Sequence, residues 1–113
     1  MTIPFHIRQG DVLVVAVTKK PKQLGDIIPR DSQGRVILAA GEVTGHHHAI
    51  ADRECELRAL PDTDDRFLRI MAASGCELVH EEHDTIVLPQ GDYIVRIQRE
   101  YTAADMQPIR VAD

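Results

Sequence analysis

The sequence predicts an all-β single domain, a small antiparallel barrel or jelly roll. Seven or eight short runs rich in Val, Ile and Leu follow one another at near-regular spacing, parted by turn residues. The 3.6-residue period of an amphipathic helix is absent apart from a weak trace over residues 65–73. Two histidine-rich segments, Gly45-His46-His47-His48 and His80-Glu81-Glu82-His83, both fall among strand-like residues.

The elements follow in order. Asp11 to Val17 is an apolar, β-branched run opened by Gln9-Gly10, and its composition suits a strand buried on both faces. Residues 18–34 carry Pro21, Gly25, Pro29 and Gly34 among scattered charges, the chemistry of a long loop and a candidate flap or binding loop. Arg35 to Ala40 is the next strand. Gly41 and Gly45 bracket a tight excursion before the strand His46 to Ala51. Glu54 to Leu60 and Arg66 to Ala72 read as strands, the second with a helix as its alternative. Ser74-Gly75 reads as a hairpin turn into Cys76 to His80. Asp84 to Leu88 and Asp92 to Arg99 are joined by the tight turn Pro89-Gln90-Gly91. The domain spans residues 1–113, with Thr102 to Asp113 as an extended C-terminal tail lying along another subunit or mobile.

Composition narrows the function classes. The chain has 113 residues, 43% of them hydrophobic, enough for one modest core. A net charge of −5, no basic cluster and only four aromatic side chains argue against nucleic-acid binding. No apolar stretch reaches the roughly 18 residues of a membrane span, and the first residues show no signal region, so a cytoplasmic location is expected. Cys55 and Cys76 are then expected as thiols rather than a disulfide, and with no CxxC motif a zinc ribbon is excluded.

The histidines carry the chemistry. On a strand, alternate side chains share a face, so His46 and His48 project together about 6–7 Å apart while His47 faces away. Two imidazoles so placed are half of a metal site, and a third from a neighbouring strand completes it. Residues His80 and His83 are the candidates. Three apart, they face oppositely on a regular strand, unless a bulge at Glu81-Glu82 or the end of the strand turns both inward. Glu81 or Glu82 is a candidate ligand or a partner that orients an imidazole, and Cys76 is a weaker candidate. The duller alternative is a histidine-rich surface strand with no metal. Glu42 and Thr44, just before the histidines, are the candidate catalytic residues, as general base and orienting hydroxyl. Their bland alternatives are an exposed carboxylate and a turn cap.

Three segments, Gln9-Gly10-Asp11-Val12-Leu13, Gly41-Glu42-Val43-Thr44-Gly45-His46-His47-His48, and His80-Glu81-Glu82-His83 with Leu88-Pro89-Gln90-Gly91-Asp92-Tyr93 and Arg99-Glu100-Tyr101, resemble a family of small bacterial and phage proteins to which no activity is assigned. More loosely, an H-x-H with a later His and an L-P-x-G-x-Y turn is similar to the cupins, small β-barrels with metal-binding histidines. The cupin glutamate is matched only by Glu54, at a stretched spacing. The α-class carbonic anhydrases also hold zinc on an H-x-H plus a third His, in a longer chain.

The expected function is divalent-metal binding through His46, His48 and His83, with His80 as alternate or fourth ligand. The metal is zinc, with iron, nickel or manganese as alternatives. Three ligands plus water give an open site suited to hydrolysis or hydration of a small-molecule substrate, a carbonic-anhydrase-like hydration being one option. Four ligands instead give a structural metal in a binding or assembly module, and no metal leaves a pH-sensitive interface. A homo-oligomer is expected, because small β-domains close their edges by association.

Overall fold

The computed structural model describes residues 6–40 and 46–97. Among them the chain forms strands only: β1 (His6–Gln9), β2 (Val12–Val17), β3 (Val36–Ala40), β4 (His47–Ile50), β5 (Cys55–Ala59), β6 (Arg66–Ile70), β7 (Cys76–Val79), β8 (Ile86–Leu88) and β9 (Gly91–Ile97). They make a five-stranded sheet, β1-β2-β9-β6-β5, and a four-stranded sheet, β3-β4-β7-β8, antiparallel throughout. The expected all-β antiparallel class holds. The two sheets pack on one another but do not close into a single barrel. No helix among the described residues is long and apolar enough to cross a membrane.

Period-two patterning explains the packing. Val14, Leu57, Leu68 and Val95 project from the larger sheet onto Leu38, Ile50, Leu78 and Leu88 of the smaller. Each such fully buried side chain contributes roughly 1.5–3 kcal/mol. Phe67 and Leu13 are buried on the opposite face of the larger sheet, where the Arg69 guanidinium lies 5.5 Å from the Phe67 ring centre. On that face Arg69 pairs with Asp92 and Arg58 with Glu56, so the aromatic ring is roofed by charged stems rather than left to solvent.

Several connections differ from the sequence expectation. Strand β1 went unforeseen, being short and half polar. Residues 66–70 are strand, because Leu68 and Ile70 find a core on one side and Phe67 a roof on the other. The turn at Ser74-Gly75 carries the chain from one sheet to the other instead of joining hairpin partners, and the tight turn Pro89-Gln90-Gly91 makes the return crossing. The long loop is not a flap. Its Gly25 and Ile28 N–H groups donate to the Ala59 and Leu57 carbonyls (both 2.8 Å), and the Ala59 N–H donates to the Asp26 carbonyl (3.1 Å). The loop thus covers the open edge of β5, a common protection for an unpaired strand. Glu42, Thr44, Gly41 and Gly45 lie outside the described residues, as does the 102–113 tail.

Candidate metal centre

Strands β4 and β7 pair with Ala49 opposite Val79 and Ile50 opposite Leu78. Carrying that register three residues past the last ladder pair sets His48 against His80, His47 against Glu81, and His46 against Glu82. The contacts follow it. The His48 and His80 ring centres are 4.2 Å apart, the His47 N–H donates to Glu81 Oε1 (3.0 Å), and His46 Nδ1 meets Glu82 Oε1 (3.1 Å). Alternation then puts His46, His48 and His80 on one face and His47 and Glu81 on the other. The His47 bond holds the Glu81 carboxyl below its ordinary range. Strand β7 ends at Val79, and the turn that follows brings His83 back against His80 (4.6 Å between ring centres) and His48 (5.9 Å). All four expected imidazoles therefore meet, by way of a strand ending rather than a bulge.

The β1–β2 hairpin of the other sheet closes over this group. Gln9 is buried, and its Nε2 donates to the Leu78 carbonyl (3.0 Å) and the Asp84 carbonyl (2.9 Å). Two carbonyl acceptors fix which way the amide points, so Oε1 must be the atom facing His48 Nδ1 at 2.7 Å. An amide oxygen only accepts. Nδ1 of His48 therefore carries the proton, and the lone pair of the neutral ring sits on Nε2. Burial is the main force pushing the His48 pKa down, with His80 and His83 adding to it and Asp11 opposing, so the neutral ring is the resting form. Glu82 acts similarly on His46, accepting at Nδ1 and leaving the lone pair on Nε2. His80 is set the other way: its Nδ1 accepts the Glu82 N–H (3.0 Å), which puts the proton of the neutral ring on Nε2.

The tip of the hairpin is shaped to its neighbours. Gly10 has φ +59°, and a Cβ built there would lie 2.7 Å from His83 Nε2 and 3.2 Å from His48 Cε1. Glycine serves both the left-handed backbone and the close approach. Beside it, Asp11 Oδ1 lies 3.6 Å from His48 Nε2, with Asp11 61% exposed and His48 nearly covered.

Two imidazoles sharing one zinc, bonded at about 2.0–2.1 Å, hold their ring centres roughly 5 Å apart. The four histidine contacts, 4.2 to 5.9 Å, bracket that spacing. As they stand, no three His, Cys, Asp or Glu groups among the described residues close on a single point. Turning the His80 ring over about its Cβ–Cγ bond would move Nδ1 to the position of Cδ2 and release its lone pair from the Glu82 N–H. Cys76 does not contribute. It is buried in the core with Cys55, the two joined by no disulfide, and burial pushes its thiol up to about 12. His6 lies exposed at the start of β1. Sequence reasoning read Gln9, Gly10 and Asp11 as the opening of a strand and as part of a segment resembling a known family, and gave none of them a place in the site. No local signal marked them, because the residues they meet, His48, Leu78 and Asp84, are distant in sequence.

Fold and site together define a small two-sheet β-domain with a histidine cluster where its sheets meet. The chain belongs to the family described as a domain of unknown function, DUF8820, whose model matches residues 8–98. That span takes in every residue of the cluster, Gln9 and Asp11 included. No curated protein and no solved structure matches the chain.

Proposed function

We propose that this chain binds a divalent metal ion, zinc foremost, through His46, His48, His83 and His80. The observation that carries the reading is the tautomer of His48. A buried glutamine, pinned by two backbone carbonyls, holds the proton on Nδ1 and leaves the lone pair on Nε2, in a ring clustered with three other imidazoles. A hydrogen bond to the remote ring nitrogen is the usual outer support of a metal-bound imidazole. Glu82 offers His46 the same support. Exposed His83 and half-buried His46 leave the cluster open on one side, room for a water beside the ion. A divalent ion in such a site lowers the pKa of water and polarises carbonyl oxygens, the chemistry of hydration and hydrolysis of small molecules. His48 and Gln9 would hold the site rigid, and Glu81 and Glu82 would tie the connection after β7 to β4.

A metal-free binding module is the competing reading, and His80 favours it: with Nδ1 already accepting the Glu82 N–H, the cluster is hydrogen-bonded without an ion. Elemental analysis of untagged protein beside a His46→Ala/His48→Ala double variant separates the two. Near-stoichiometric metal in the wild type, lost in the variant, is the expected result. No metal in either protein, even after reconstitution, would overturn the proposal in favour of the module.

A further inference from the structure

The β1–β2 hairpin brings a carboxylate to the same lone pair that Gln9 exposes. Asp11 Oδ1 stands 3.6 Å from His48 Nε2, beyond hydrogen-bond range. Two donors bonded to one tetrahedral ion at about 2.0–2.1 Å lie about 3.4 Å from each other, so the separation suits two ligands of one ion better than a direct contact. The turn is built for this approach: Gly10, in the left-handed region, lets His83 Nε2 and His48 Cε1 come where any side chain would collide.

From this geometry we infer that Asp11 is a ligand, which makes the centre a mixed nitrogen–oxygen site assembled from both sheets. The inference rests on the metal-binding reading above. A histidine set closed by a carboxylate takes iron and manganese as readily in kind as zinc, whereas an all-imidazole set leans to zinc and copper. It also makes the ion a clamp: His46, His48, His80 and His83 come from the smaller sheet and its β7–β8 connection, Asp11 from the larger.

Cobalt(II) titration of the metal-free protein tests this, because the visible absorption of cobalt reports its donor atoms. Wild type, Asp11→Asn, Asp11→Ser and Asp64→Asn are compared, the last removing an equal charge from the β5–β6 turn. Both Asp11 variants are expected to bind cobalt about tenfold or more weakly and with shifted visible bands. Asp64→Asn is expected to match wild type. Two outcomes would overturn the ligand role while leaving metal binding intact: unchanged affinity in both Asp11 variants, or weakened affinity with unmoved bands, the mark of a charge acting through space. Failure of the wild type itself to bind cobalt would overturn the underlying reading, and the inference with it. Circular-dichroism melts of all four proteins confirm that the comparison is made between folded chains.

Discussion

Strand β7 has metal-capable side chains at both ends, and they live in opposite circumstances. At its start Cys76 packs against Cys55 inside the core; just past its end His80 joins His46, His48 and His83 where the sheets meet. Burial acts on both groups but with contrary results. It keeps the Cys76 thiol protonated, and a thiol is a poor ligand and nucleophile. It keeps His48 neutral, and a neutral imidazole is the form that binds metal. The same loss of water silences an acid and readies a base. The difference is completed by Gln9, which decides where the one remaining proton of His48 resides.

Three substitutions or conditions press on this contrast. The largest effect is expected from Gln9→Leu. It removes the acceptor that sets the His48 tautomer and should weaken metal binding 10–100-fold, as loss of an outer partner commonly does. It also leaves the Leu78 and Asp84 carbonyls short of a donor, a cost of about 1–3 kcal/mol in a denaturant melt. Unchanged metal affinity in this variant would remove the tautomer argument.

Gly10→Ala comes next. A left-handed backbone costs a non-glycine residue roughly 1–2 kcal/mol, and the new Cβ displaces His83. Urea unfolding should show that loss, and isothermal titration with zinc should show a several-fold weaker site. Full affinity would mean that His83 stands outside the coordination sphere.

The smallest effect belongs to the thiol end. The Cys76 pKa is raised from 9.0 to about 12 on folding. The unfolded chain therefore gives up this proton first as pH rises, so stability should be whole below pH 9 and decline toward 12. Cys76→Ala should flatten that decline without altering metal uptake. A disulfide reagent should leave both cysteines of the native protein unmodified at pH 8. Rapid labelling there would contradict their burial.

Much of the architecture was legible because it depends on period two. The DVLVVAV and ECELRAL runs became β2 and β5 with their ends trimmed, since alternation and β-branching respond to a local rule. Partner choice depends on a core that no single segment encodes. That is why Ser74-Gly75, which reads as a hairpin turn, crosses between sheets, as the tight turn Pro89-Gln90-Gly91 does. The four histidines were found from spacing alone, and aligning HHHAI against LVHEE in antiparallel register would also have paired His46 with Glu82. Gln9 and Asp11 were out of reach. Gln9 matters for its contacts with Leu78, Asp84 and His48 and Asp11 for its approach to His48, all distant in sequence, and a glutamine before a glycine turn is chemically unremarked until its neighbours are known.

Those long separations bear on how the chain comes together. Gln9 reaches Leu78 across 69 positions and Asp84 across 75, so the bonds that orient His48 are among the least local in the molecule. Loop closure over such spans is slow, and contacts of this kind form late in folding. During synthesis the histidines of β4 emerge well before the residues that hold Gln9, and until then nothing dictates where the His48 proton sits. A His48 ring with its proton fixed on Nδ1 is thereby withheld from the nascent chain and appears only when the first strand has docked against β7 and the segment that follows it.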